Sequence, residues 1–304
     1  HKEVVHADTF EKKIEVPFEG RTVYIPDQAH SYLKTLYGDF TKLPPHDRRI
    51  AHYKTFKRIA DIDLSICVST KSGLPNDFEF LSPATGVRYV VINQGTPIDE
   101  NSNEHVLVIN RSDVGLSKSR NTYLKLPEFQ SSLVVISDND VRHDQNLKTK
   151  LAPLLLNYDI VTFNNIDHSG PCVRSKIHTL NSVMKIPSWG IALKNSNLPM
   201  FDEQFGLGSK YNNGEENIFL LDCLRRGKRV VHLGEPLVKH EGISTGFIID
   251  YSYFITKGAM LRRMFGIKGI IFLPLFFVRK VASSNLIKSR SLICILNGFF
   301  GFRG

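Results

Sequence analysis

The acidic triplet Asp138-Asn139-Asp140 directly follows an apolar, β-branched run, Leu133-Val134-Val135-Ile136-Ser137. Two carboxylates leaving a strand in a tight turn can hold a hard cation, and Mg2+ or Mn2+ takes one or two carboxylates together with substrate phosphate oxygens. A metal held so offsets the charge that builds on a departing diphosphate. The competing reading makes both aspartates local acceptors of backbone hydrogen bonds; the position after the strand favours the metal.

Three further groups lie along the chain. Gly115-Leu116-Ser117-Lys118-Ser119-Arg120-Asn121 puts two cations and two hydroxyls in a loop entering a helix. There, free N–H groups and the helix dipole favour phosphate, so Lys118 and Arg120 are candidates for diphosphate contacts; the alternative is an ordinary polar helix start. Gly214 opens a helix beginning Glu215-Glu216 and continuing through Ile218, Phe219, Leu220, Leu221 and Leu224. Adjacent carboxylates can divide labour, one accepting a hydrogen bond from an acceptor hydroxyl and the other removing its proton, although acids in a first turn also simply complement the dipole. His240, just before Glu241-Gly242-Ile243-Ser244-Thr245, is a candidate third metal ligand or diphosphate contact.

The elements that must position these groups are readable from periodicity. Leu64 to Ser69, Tyr89 to Asn93, His105 to Asn110, Leu133 to Ser137 and Ile160 to Phe163 are strand candidates, separated by Gly/Ser/Asn-rich turns and a helical stretch near Gly115 to Leu126. That alternation predicts an α/β fold with a mainly parallel sheet covered on both faces, its ligands beyond the carboxyl ends of the strands. Residues 1–59 form a separate, α-rich extension with a short strand at Thr22 to Ile25, a helix capped by Asp27 and ended by Gly38, and a turn at Leu43-Pro44-Pro45. Residues 60–250 carry the sheet. Residues 251–304 are apolar and basic.

Of the net charge of +9, all resides in that last segment, which holds nine Lys and Arg and no Asp or Glu. The rest of the chain is balanced, which argues against a nucleic-acid footprint on the folded body. The apolar runs Gly269 to Val278 and Ser291 to Phe302 are each too short to cross a bilayer. Flanked by Arg262, Arg263, Lys268, Arg279 and Lys280, they suit an interfacial anchor on anionic lipid; the alternative is a helix packed on the domain with its charges solvated. No basic-then-apolar leader opens the sequence, so a cytoplasmic setting at the inner membrane surface is expected. Cys67, Cys172, Cys223 and Cys294 show neither CxxC spacing nor clustering with histidines, and are expected to be reduced thiols without chemistry.

Taken in order, Leu64 to Thr70, Tyr89 to Gly95, Gly115 to Asn121, Asp138 to Asp140, Phe201 to Gly208, Gly214 to Glu216 and His240 to Gly246 resemble a family 2 glycosyltransferase over roughly Asp61 to Arg279. The bacterial surface-polysaccharide branch is most similar. The resemblance implies a GT-A fold, a nucleotide-diphosphate sugar donor, a divalent metal, a glycan or lipid-linked acceptor and inversion at the anomeric carbon. It implies Asp138 and Asp140 on metal and diphosphate, Glu216 as base, Glu215 holding the acceptor, and Ser69, Thr70, Asn93 and Gln94 facing the nucleotide. Two departures stand out: many relatives have Glu-Asp where Glu215-Glu216 stands, and many have Asp in place of Asn93 or Gln94.

Phe18-Glu19-Gly20-Arg21, Ile25-Pro26, the Tyr32 to Leu36 helix, Tyr37-Gly38-Asp39 and Leu43-Pro44-Pro45 resemble instead the C-terminal end of a LicD-type phosphotransferase, without its N-terminal metal-binding part. That resemblance implies a bifunctional parent chain. Besides sugar transfer, two other readings follow: a LicD-type phosphotransferase, and a non-catalytic membrane-surface scaffold.

Overall fold

A computed structural model of the chain describes residues 11–18, 20–42, 63–71, 87–98, 106–129, 132–165, 176–179, 182, 190–240, 249–281 and 288–304. The chain divides into two compact units, His1–Phe56 and Lys57–Gly304.

In the first unit, strands β1 (Lys13–Phe18) and β2 (Arg21–Pro26) form an antiparallel hairpin that precedes helix α1 (Ala29–Tyr37). Among the described residues of this unit a full hairpin thus accompanies the helix, where a single short strand at Thr22 to Ile25 was expected. β1 is the alternating stretch Ile14, Val16, Phe18, and it pairs Ile14 with Ile25 and Val16 with Val23. Asp27 is not the helix cap: its N–H donates to the Lys12 carbonyl to close the hairpin, and Gln28 holds the cap position. Gly38 does end the helix, at φ 68°, a left-handed conformation that costs glycine little. Leu43-Pro44-Pro45 lies outside the described residues.

The second unit is mixed α/β. In chain order it contains β3 (Leu64–Thr70), β4 (Val87–Asn93), β5 (Val106–Asn110), α2 (Leu116–Lys125), β6 (Leu133–Asp138), β7 (Val141–His143), α3 (Leu147–Asn157), β8 (Ile160–Asn165), β9 (Lys176–Ile177), β10 (Ile191–Lys194), α4 (Glu215–Arg225), β11 (Val230–His240), α5 (Tyr251–Phe265), α6 (Phe272–Val281) and α7 (Lys288–Gly301). The strands form one sheet in the order β5-β4-β3-β6-β10-β8-β11-β7, with β9 on β11. β3, β4, β5 and β6 are parallel, and so are β8 and β11; β10 runs antiparallel between β6 and β8. The mainly parallel expectation thus holds, with β10 reversed at the centre and the short β7 and β9 reversed on β11.

Each strand sends alternate residues to two cores. Ile66, Val68, Val135, Val161 and Phe163 pack with Leu147, Leu151 and Leu155 of α3 on one face. Cys67, Val90, Val134, Ile136 and Ile191 pack with Tyr123 and Leu124 of α2, Ile218 and Leu221 of α4, and Ala259, Met260 and Met264 of α5 on the other. Such two-sided burial explains why β3 and β6 read as continuous apolar runs rather than alternating ones. Cys67, Cys223 and Cys294 are free thiols, and burial pushes the Cys67 thiol up to about 12, in keeping with an inert role. Cys172 lies outside the described residues.

Chain order runs outward from β3 through β4 to β5 and then returns to β6 on the other side of β3. The carboxyl ends of β3 and β6 therefore flank a topological switch point, where ligands of open α/β sheets bind. Past the sheet, α5 and α7 cross at backbone contact: a Cβ on Gly298 would lie 1.9 Å from the Ile255 carbonyl oxygen, and one on Gly258 would lie 2.0 Å from that of Ile295. No described helix is long and apolar enough to cross a membrane.

Candidate active site

Register brings the candidate residues to one edge. β3 pairs Ser69 with Asp138 and Thr70 with Asn93, and β4 pairs Asn93 with Asn110, so the carboxyl ends of four strands finish in one row. The Asn139 amide donates to the Thr70 hydroxyl at 3.4 Å, tying the acidic turn to β3. β11 ends against the same turn, since His240 pairs by backbone with Val141, next to Asp140. The His240 side chain is outside the described residues, so its expected metal role stays an expectation.

The first turns of α2 stitch this edge to the loop that feeds α4. Ser119 shares a 2.7 Å hydrogen bond with Ser69, Ser117 donates to the Phe205 carbonyl at 2.7 Å, and Asn121 donates to the Phe201 carbonyl and the Glu203 carboxylate at 2.9 and 3.0 Å. The Leu116 N–H donates to the Leu207 carbonyl. Gly206, at φ 103°, lets the loop pass close to Glu215: a Cβ there would lie 3.3 Å from the Glu215 carboxyl carbon. Gly214, at φ 95°, begins α4 over Met260 of α5.

Arg120 is the centre of the arrangement. It is fully buried, with Nη1 3.0 Å from Glu215 Oε1 and Nη2 3.5 Å from Asp138 Oδ1, and its guanidinium lies 5.5 Å from the Phe201 ring centre. Burial opposes its charge, but the carboxylates of Glu215, Asp138 and Glu216 hold its pKa above the ordinary arginine value. Two sequence-based assignments change as a result. Arg120 has no exposed surface to offer a diphosphate, and Glu215, 3% exposed and spent on Arg120, has none to offer an acceptor. Both instead brace the acidic turn against α4. Glu216 keeps partial exposure, and burial, then the neighbouring Glu215 charge, push its carboxyl up to about 8, with Arg120 pulling the other way.

Asn93 and Gln94 serve the loop after β4. The Asn93 amide donates to the Thr96 carbonyl and to Asn110, and its oxygen accepts from the Gly95 N–H; Gln94 donates to the Asp113 carbonyl and accepts from the Gly115 N–H. Both side chains are almost wholly buried, so they set the shape of this loop and present little surface of their own. Lys118 remains partly exposed beside Gly115. Sequence reasoning missed Lys71, whose exposed chain follows Thr70 and reaches Gly208: a Cβ there would lie 3.0 Å from its Nζ. A cation directly after the paired Ser69-Thr70 was the available signal.

Among the described residues, no group of three or more His, Cys, Asp or Glu converges on a metal position. The donor set nonetheless fits Mg2+ or Mn2+, which need only one or two protein carboxylates when substrate phosphates complete the shell. Asp138 retains 26% side-chain exposure, and Asp140 is also part-exposed.

No family model and no curated protein matches the chain. Solved structures similar to it include S. aureus TarS 1-349, at 15% identity and a TM-score of 0.48 over 79% of this chain and 72% of that one. The same protein in complex with UDP-GlcNAc gives 15%, 0.49, 79% and 73%. GalNAc-T7 with UDP, GalNAc and Mn2+ gives 11% identity and a TM-score of 0.45 over 75% of this chain and 52% of that one.

Proposed function

We propose that this chain is a GT-A type glycosyltransferase that moves a sugar, with inversion, from a nucleotide-diphosphate donor to a hydroxyl of a glycan acceptor in bacterial surface polysaccharide synthesis. The observation that carries this reading is the buried Arg120, which joins the strand-end carboxylate Asp138 to Glu215 at the head of α4. A site for leaving-group charge and a site for proton removal are thereby fixed to one guanidinium.

In this reading Glu216 takes the proton of the acceptor hydroxyl as its oxygen attacks the anomeric carbon. The bond from that carbon to the diphosphate oxygen breaks, and its electrons leave with the nucleoside diphosphate. A single displacement of this kind inverts configuration. Lys71 and Lys118 set positive charge where the diphosphate leaves, and Ser69 and Thr70 line the donor end of β3. Asp138 and Asp140 would hold a Mg2+ or Mn2+ ion, which when bound supplies further charge neutralisation to the diphosphate.

Calorimetric titration with UDP and GDP, with and without Mn2+, tests the donor site. Metal-dependent binding of one nucleotide, lost in Asp138→Ala/Asp140→Ala, is expected. Metal-independent binding, or binding of neither nucleotide, overturns the proposal.

A further inference from the structure

α7 is amphipathic in an unusual sense. The side that faces α5 holds Ser291, Ile295, Gly298 and Phe299, while the side turned outward holds Leu292, Ile293 and Phe300, 43, 57 and 61% exposed, with Asn297 as the one polar residue between Ile293 and Phe300. Ile293 and Phe300 are two turns apart on one stripe. A helix packed on a domain in water ordinarily turns polar residues outward, so an apolar outer stripe marks a contact surface. The 3-10 turn Gly266–Ile271 and α6, which pack nearby, repeat the pattern: Ile271 is 73% exposed and Val278 66%.

The charge around these side chains says what covers them. Nine Lys and Arg and no acid lie between residues 251 and 304. Arg263 is spent on Asp202 and Asp222, but Lys268, Lys288, Arg290 and Arg303 are exposed among the apolar groups. A second copy of the same face would set cations against cations. A surface of anionic lipid headgroups neutralises them while the apolar side chains enter the acyl boundary. Spanning is excluded for the described helices by their length.

We infer that the outward face formed by Ile271, Val278, Leu292, Ile293 and Phe300 seats on an anionic membrane surface with the α5–α7 pair lying in the interfacial plane. α5 also carries Met260, which packs against Gly214 at the head of α4. The membrane-facing helices are therefore one layer behind Glu215 and Glu216. Given sugar transfer as proposed above, the acceptor is carried by lipid and meets the base without leaving the surface.

Co-sedimentation of the full chain with vesicles of phosphatidylcholine alone, and of phosphatidylcholine with phosphatidylglycerol, tests the surface directly. Binding to the anionic vesicles only, weakened by salt and reduced about tenfold or more in Ile271→Asp/Ile293→Asp, is expected, since both apolar insertion and lipid charge drive such binding. Both positions are exposed, so circular dichroism and melting should match the unaltered protein. No binding, binding indifferent to lipid charge, or a dimer in sedimentation that the same substitutions dissolve overturns the inference. Nucleotide titration without vesicles is read separately, so failure of the membrane face and failure of the donor site remain distinguishable.

Discussion

Glu215 and Glu216 are the same residue type at adjacent positions, and nothing in the letters separates their roles. Their surroundings do: at the head of α4 the Glu215 carboxylate is buried and spent on Arg120, while Glu216 beside it keeps partial exposure. Replacing Glu216 with Gln should cut kcat about 10²- to 10⁴-fold, the range for a lost general base, while nucleotide affinity measured by titration stays near wild type. Because burial and Glu215 push the Glu216 carboxyl up to about 8, kcat/KM should rise with pH and level off above that value, and the limb should vanish in Glu216→Gln. The same shift has a stability consequence. A carboxyl that binds its proton more tightly when folded stabilises the fold below its ordinary pKa of 4.5, and that contribution is lost as pH rises through about 8. Glu216→Gln should therefore melt with the parent at pH 5 and above it at pH 9, by about 1 kcal/mol once solvent screening of a part-exposed group is allowed for. Arg120→Met leaves the Glu215 carboxylate buried without its cation, a change that costs about 3–5 kcal/mol. Adding Glu215→Gln should return much of that loss in a double-mutant cycle of denaturant midpoints; strict additivity of the two changes would mean the pair is not coupled.

Elements were legible where one physical cause dominated. β3, β4, β6 and β8 are buried on both faces and read as apolar runs, and the acidic turn was found because it follows such a run. β10, four residues long and reversed between two parallel neighbours, gave no periodicity to read, and its direction depends on a tertiary fit. β11 was not among the expected strands: its first half, Val230 to Leu233, is interrupted by His232, whose Nδ1 is satisfied 2.9 Å from the buried Thr162 hydroxyl. The burial of Arg120 was likewise invisible, because an arginine at a helix start reads as a surface cation until the loop at 201–208 closes over it. Glycines in α5 and α7 illustrate the same limit: in sequence they weaken a helix, and in the fold they permit its closest contact. Gly298→Ala should cost about 1–3 kcal/mol, the penalty for overpacking, since its Cβ would meet the Ile255 carbonyl. Gly301→Ala, in open space on the same helix, should be neutral or slightly stabilising. Equal thermal shifts for the two would contradict the helix crossing.

The two units differ in how they are held together. In the second, both faces of the sheet and the α5–α7 crossing are lined by fully buried apolar side chains. In the first, no residue among those described is buried; β1, β2 and α1 expose Phe18 at 61% and Tyr24 at 67%, and the hairpin relies on its ladder and on the 2.6 Å hydrogen bond from Tyr24 to Glu15. An isolated two-stranded hairpin is marginal in water, and opening free energy follows buried apolar contact. Amide hydrogen exchange followed by mass spectrometry should therefore show residues 13–37 exchanging early, while peptides covering 64–70 and 133–138 retain protons until global unfolding. Protection of the hairpin equal to that of β3 would mean that it is held by contacts beyond its own residues. The active-site proposal draws every residue from the second unit, so a chain lacking residues 1–56 should bind the nucleotide with the affinity and metal dependence of the full chain. Loss of that binding, with the sheet peptides still protected, would move the donor site toward the first unit and revive the phosphotransferase reading of its sequence.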